Sequence, residues 1–169
     1  MVIAYGGEQV SEACITDALW PRIDGDSAHR SFTSALHRLR KLLGEDRAVV
    51  LHQGRVSLDR RYFWIDAWAF EELGDEIENT SEPAIAEKLA ERMLGLYRGP
   101  FMADDVDAAW YLQPRDRMRS RLARAMGRVL RYWQDNGHGQ RARDCLDRCA
   151  EIDAAATQQP GFKQLVSDR

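Results

Sequence analysis

Long apolar runs are missing from this chain of 169 residues. The longest are only a few residues, so no segment reads as a membrane span, and the opening M-V-I-A-Y-G-G-E-Q-V-S-E lacks the basic, greasy and small-residue succession of a secretory signal. Cysteine is sparse as well. Cys14, Cys145 and Cys149 are odd in number and form no C-x-x-C pair, which argues against a disulfide framework and for a reducing, cytoplasmic setting with all three thiols in or beside the core. A zinc site would need further ligands at matched spacing, and His138 alone does not bring them. Also missing are G-x-x-x-x-G-K-[ST], H-E-x-x-H and G-x-S-x-G. Gly6-Gly7 has neither the flanking strand nor the further glycines of a phosphate loop, and Asp104 and Asp105 read as a solvated loop. No catalytic residue, cofactor or metal is expected.

Acid is missing from one place in particular. Between Ser27 and Gly44 there is no Asp or Glu, yet the segment carries Arg30, Arg38, Arg40 and Lys41 with His29 and His37 among them. The net charge of -3 hides a strong segregation. Residues 1–19 hold three acids and no base, residues 20–65 nine bases and five acids, residues 66–113 twelve acids and three bases, and residues 114–148 ten bases and four acids. Uniform solubility needs only mixed charge, so such blocks imply that segments meet different partners or one another.

Ser11 ahead of E-A-C-I-T-D-A-L-W reads as the cap of a short helix that Pro21 ends. A second helix is expected from Asp26, with Ala28, Phe32, Ala35, Leu36, Leu39, Leu42 and Leu43 on one stripe and Gly44 as its stop. Then A-V-V-L-H-Q-G-R-V-S-L holds two β-favouring runs around Gln53-Gly54, a hairpin pattern. From Asp66 onward the chain reads as helical. An acidic stretch to about Glu78 is followed by a helix from Pro83 to about Tyr97, with Ile85, Leu89, Met93 and Leu96 facing inward. R-G-P-F-M-A-D-D-V-D is a loop, Pro114 opens a long helix to about Asn136 with Gly137 as its cap, and a last helix covers about Gln140 to Ile152. Helix pairs of this length suggest tetratricopeptide-like hairpins, and the tail from Ala154 is expected to be irregular. Trp64, Trp68, Trp110 and Trp133 lie beside amphipathic patterns and are expected to pack between elements.

On the second helix the face opposite the apolar stripe is held by Arg30, Thr33, Ser34, His37 and Lys41, with Arg38 and Arg40 on its flanks. It is a face of donors without acids. Arg and Lys can neutralise phosphates or donate to guanine, and Thr, Ser and His can reach base edges, so the face suits a DNA major groove. Arg47 before the hairpin and Arg55 beyond its turn would meet the sugar-phosphate backbone. Helix, short turn, basic helix and hairpin fit a winged variant of the helix-turn-helix.

The strings I-T-D-A-L-W-P-R-I-D-G-D-S-A-H-R-S-F-T-S-A-L-H-R-L-R-K-L-L-G, G-R-V-S-L-D-R-R-Y-F-W-I-D-A-W-A-F-E-E-L and L-Y-R-G-P-F-M-A-D-D-V-D-A-A-W-Y-L-Q-P-R-D-R-M-R-S-R-L-A-R-A-M carry a resemblance over roughly residues 3–150. In the order and spacing of A-L-W-P, H-R-L-R-K-L-L-G and L-Y-R-G-P-F, the chain resembles the paired winged-helix and bacterial transcriptional activator domains of the antibiotic-regulatory-protein class of bacterial regulators. The resemblance implies a mainly α fold with an OmpR-type winged helix in residues 1–65 and a tetratricopeptide-like module in 66–169. Its groove-entering helix would be Ser27–Leu43 and its wing Val49–Leu58. Double-stranded DNA, other domains of a longer regulator with a nucleotide-hydrolysing domain, the transcription machinery and a homo-oligomer are the implied partners, with no membrane among them. The family's winged helix begins with a small sheet and a full first helix, whereas M-V-I-A-Y-G-G falls near the end of that helix. An N-terminally incomplete fragment is therefore expected.

A second basic row, Arg117, Arg121, Arg124, Arg128 and Arg131, recurs at four and three, with Met118, Leu122, Met126, Val129 and Trp133 across the helix from it. It can pair with the acidic block or stay solvated, hold a phosphate or another anion, or face an acidic partner subunit. The sequence leaves these open. The alternative to DNA binding is a protein-protein interaction module whose working surface is the acidic block around Glu71, Glu72, Asp75 and Glu76.

Overall fold

The computed structural model describes residues 1–103 and 109–162, which leaves Asp104 and Asp105 of the expected loop outside the described residues. The protein is mainly helical, with a three-stranded antiparallel sheet. It divides into two compact units, residues 1–65 with 109–110 and residues 66–103 with 111–162. No helix among the described residues is long and apolar enough to cross a membrane.

In the first unit, strand β1 (Val10–Ser11) leads directly into helix α1 (Glu12–Leu19), and helix α2 (Gly25–Leu43) is followed by strands β2 (Val49–His52) and β3 (Arg55–Leu58). The hairpin expected around Gln53-Gly54 is present. Both turn residues have positive φ, 49° and 69°, the pairing a tight turn needs to match the twist of its strands. The two-residue β1 had no sequence signal. It is held by pairing, Val10 opposite Val56 in the order β1-β3-β2, so its existence depends on a strand some 45 residues away.

Helix α2 starts at Gly25, one residue before the expected Asp26, because the carboxylate of Asp24 accepts from the Ser27 amide at 3.0 Å and caps the helix. That hydrogen bond also holds the Asp24 carboxyl below its usual range. Gly44 closes the other end in the left-handed region, its amide donating to the Arg40 carbonyl at 3.0 Å. Arg40, placed by its spacing on the flank of the basic face, donates from Nε and Nη2 to the Val49 carbonyl at 2.9 and 2.7 Å. It ties the end of α2 to the first residue of β2 and is structural.

The second unit holds α3 (Asp66–Asn79), α4 (Pro83–Leu96), α5 (Leu112–Asp135) and α6 (Gly139–Ile152). Three-residue links join α3 to α4 and α5 to α6, so each pair folds back as a helical hairpin. One core runs through all four, with Ile77, Met93, Leu122, Met126, Leu130 and Cys149 almost wholly buried. α5 begins two residues before Pro114, which is tolerated inside the first turn because the amide it lacks has no helical acceptor there. In α4 the buried stripe is Ala86, Leu89, Ala90, Met93 and Leu94, and Ile85 is exposed. The small Ala86 and Ala90 turn toward the neighbouring helices, which rotates the stripe one residue from the expected Ile85 edge.

Residues 154–162 of the expected irregular tail are packed instead, and the remainder of that tail lies outside the described residues. A 3-10 turn at Ala156–Gln158 leads to helical residues from Pro160, and Ala156 and Phe162 are fully buried. Its approach depends on glycine: a Cβ on Gly127 would come 2.5 Å from the Gly161 carbonyl oxygen, and one on Gly161 would strike the Ala123 carbonyl. Small residues make this contact, so hydrophobic periodicity does not announce it.

Asp153, just past α6, is 5% exposed and fully partnered. Arg119 donates from Nε to Oδ2 at 2.7 Å and from Nη2 to Oδ1 at 3.1 Å, the Tyr97 hydroxyl donates to Oδ2 at 2.7 Å, and the Ala155 amide donates to Oδ1 at 3.1 Å. Burial pushes the Asp153 carboxyl up. Hydrogen bonds from Arg119 and Tyr97, with the Arg119 charge, outweigh it and leave the group below its ordinary value. The Tyr97 hydroxyl is pushed up by burial and by the same carboxylate.

Candidate nucleic-acid interface

α2 is amphipathic in the first unit's own terms. Ala28, Phe32 and Leu36 enter the core, while Arg30, Thr33, Ser34, His37, Arg38 and Lys41 are all exposed. These six side chains lie on one side of the helix and include no acid. Arg30 donates from Nη2 to the Ser27 hydroxyl at 2.8 Å, a contact between two surface groups that a ligand could exchange. His29, on the flank toward α1, lies 2.5 Å from Oε1 of Glu12, so this imidazole is engaged inside the unit. The macrodipole places Arg40 and Lys41 in the last turn, where cations are favoured.

The hairpin contributes less cleanly. Arg47 is exposed, and Arg55 is exposed but donates from Nη1 to the Gln9 carbonyl at 3.1 Å, which fixes its stem beside β1. Just past β3, Arg61 hydrogen-bonds both carboxylate oxygens of Asp59, and those bonds hold that carboxyl down to about 2. Arg61 is thereby neutralised locally, although it looks as basic in the sequence as Arg55.

The apolar side of α2 departs from expectation. Leu39 and Leu43 are each 40% exposed and Leu42 is 85% exposed, and Ala35 is also on the surface. Trp64, expected to pack between elements, is 75% exposed. With Leu19, Phe32 and Val56, several of these residues border an open apolar pocket of about 480 Å³ within the first unit. Periodicity identifies a stripe able to be buried. It does not say whether anything covers the whole of it.

The second basic row is engaged along much of its length. Arg121, whose side chain is 12% exposed, meets Glu71, Asp75 and Glu78 of α3, and it reaches them across Gly74, where a Cβ would come 2.5 Å from its Nε. Arg117 pairs with Glu71 at 3.3 Å and Arg124 with Glu78 at 3.3 Å. Arg128 donates to the carbonyls of Ile77 at 2.7 Å, Glu78 at 2.8 Å and Thr80, closing the C-terminal end of α3. Arg131 is exposed. Met118, Leu122, Met126, Val129 and Trp133 are buried on the other side, as their spacing indicates.

Among the described residues there is no group of three or more His, Cys, Asp or Glu side chains arranged to hold a metal ion. The three cysteines are free, with Cys149 buried and Cys14 and Cys145 partly exposed. In comparisons with known proteins, no family model matches the chain and no curated protein matches it.

Proposed function

We propose that the protein is a cytoplasmic bacterial transcription regulator that binds duplex DNA through its first unit and assembles or signals through its second. On this reading residues 1–65 are an OmpR-type winged helix-turn-helix, with α2 in the major groove and the β2–β3 hairpin as wing. The helical hairpins of the second unit are a tetratricopeptide-like activator module. The mechanism is non-covalent. Arg38, Lys41, Arg47 and Arg55 neutralise phosphates and set the register, while Arg30, Thr33, Ser34 and His37 face the bases.

The observation that carries this reading is the exposure of all six polar side chains on one side of α2, on which Asp26 in the first turn is the one acid, opposite residues fixed in the core. A basic side of this kind attracts any polyanion, so sequence preference is the decisive measurement. Selection from a pool of random duplexes should recover a preferred sequence. Arg30→Ala and His37→Ala should change that preference, whereas Lys41→Ala should weaken binding to every sequence alike. Equal losses on selected and random duplexes from all three substitutions would overturn the assignment of base readers.

The second reading, a protein-interaction module without autonomous DNA binding, is favoured by one observation, the half-uncovered apolar side of α2 with Trp64 beside it. Its acidic surface is less free than the sequence suggests, because Glu71 and Asp75 already meet arginines of α5. Salt-independent indifference to DNA, together with a protein partner lost on Leu42→Gln, would decide for it.

A further inference from the structure

Two sulfurs lie one turn apart on α6, Cys145 and Cys149, and their surroundings differ sharply. Cys149 is 0% exposed within the four-helix core. Cys145 is partly exposed and forms part of the wall of a cavity of about 220 Å³, which Glu87, Glu91, Trp133, Arg141 and Arg148 also line. A cavity of that size admits a small polar oxidant beside the Cys145 sulfur and leaves the Cys149 sulfur behind it. Arg141 is placed by its own contacts, stacking on the Trp133 ring at 4.3 Å and pairing with Glu87 and with Glu91 at 3.4 Å. Arg148, one turn beyond Cys145, is exposed at the cavity edge.

We infer that Cys145 is a site of reversible oxidation by hydroperoxides, with Cys149 as its buried, unreacted neighbour. The Cys145 thiolate attacks one peroxide oxygen: an S–O bond forms, the O–O bond breaks, hydroxide or alkoxide leaves and takes a proton from water, and sulfur is oxidised by two electrons to the sulfenic acid. Two small thiols return it, the first forming a mixed disulfide and releasing water, the second reducing that disulfide. The electrostatics agree with the geometry. A hydrogen bond from the Cys149 thiol, and the charges of Arg148 and Arg141, lower the Cys145 thiol against the opposing effects of burial and Glu91, while Cys149 is pushed up by the same sulfur contact and by burial. The oxidised sulfur halts at the sulfenic acid. A Cys149 thiol that stays protonated is a poor nucleophile, and a disulfide needs the two Cβ atoms about 4 Å apart, closer than one helical turn brings them.

The test uses the full chain, treated with hydrogen peroxide in the presence and absence of dimedone and read by peptide mass spectrometry, with Cys14 as an internal control. The expected result is a dimedone adduct on Cys145 that exceeds any on Cys14, is lost in Cys145→Ser, and forms more slowly but still on Cys145 in Cys149→Ala. Arg148→Gln should slow alkylation of Cys145 by iodoacetamide about twofold to threefold at neutral pH without changing the circular dichroism spectrum. An adduct confined to Cys14, or no adduct on folded protein, overturns the site. Accumulation of a Cys145–Cys149 disulfide overturns the sulfenic acid as the end state. DNA binding plays no part in any of these measurements.

Discussion

Helices α2 and α5 both carry arginines at helical spacing opposite an apolar stripe, and a sequence reading gives them nearly the same description. They differ in what lies across from the guanidinium groups. α5 is flanked by α3, whose Glu71, Asp75 and Glu78 and terminal carbonyls take up Arg117, Arg121, Arg124 and Arg128, and on another side Arg119 meets Asp153. On α2, Arg40 alone is committed to a backbone carbonyl, while Arg30, Arg38 and Lys41 lie on an exposed face that carries no acid after Asp26 in its first turn. A row of arginines is therefore structural where its own chain brings acids to it, and available for a polyanion where it does not.

If that distinction is right, α5 substitutions should be felt in stability and α2 substitutions in binding. The largest effect is expected at Asp153. Asp153→Ala leaves the Arg119 guanidinium and the Tyr97 hydroxyl without their acceptor, which should cost about 3 kcal/mol in urea unfolding. Because the folded-state value of Asp153 lies below its ordinary 3.8, its contribution is fully present above that value and is lost as pH falls through the lower folded-state one. Wild-type stability should therefore fall with acid in that window more steeply than that of Asp153→Asn. Equal slopes would remove the carboxylate from the account. Arg121→Ala comes next, at about 2 kcal/mol, since Glu71, Asp75 and Glu78 are more exposed and can partly rehydrate.

On α2 the same kind of substitution should leave unfolding nearly untouched. Arg30→Ala or His37→Ala should cost on the order of 1–3 kcal/mol of discrimination between the selected duplex and its single-base variants, measured by fluorescence anisotropy. Lys41→Ala should cost less, about 1 kcal/mol on every duplex, and should flatten the dependence of log K on log salt by about one unit. A loss of more than about 1 kcal/mol in folding stability from any of the three would show that α2 is built like α5, contrary to the comparison.

The helical ranges and the hairpin were legible because they rest on local chemistry: Gly44 at the end of α2, Gln53-Gly54 in the turn of the hairpin, Pro83 in a first turn. The polar side of α2 was legible for the same reason, since its members are fixed by 100° steps along one helix. What could not be read depends on distant chain. β1 exists through β3, the packing of residues 154–162 through Gly127 and Gly161, and the engagement of Arg121 through Gly74 and three carboxylates on another helix. Trp64 and Leu42 were misplaced by the same limit. An apolar residue beside an amphipathic pattern has the means to be buried, but coverage is a property of the assembled surface.

Arg124 offers the finest test, because it belongs to α5 by position and resembles α2 by exposure. Its side chain is 55% exposed and its pairing is a single 3.3 Å contact to Glu78 Oε1, an oxygen it shares with Arg121. A pair so open to water and salt is worth little, so Arg124→Ala should change unfolding by less than about 0.5 kcal/mol, and the difference should vanish as ionic strength rises. Adding Arg121→Ala separates two accounts. If the double variant loses only what Arg121→Ala loses, the row owes its structural role to burial of one guanidinium. If the loss exceeds the sum, Arg124 takes over Glu78 when Arg121 is absent, and exposure alone does not sort structural arginines from available ones.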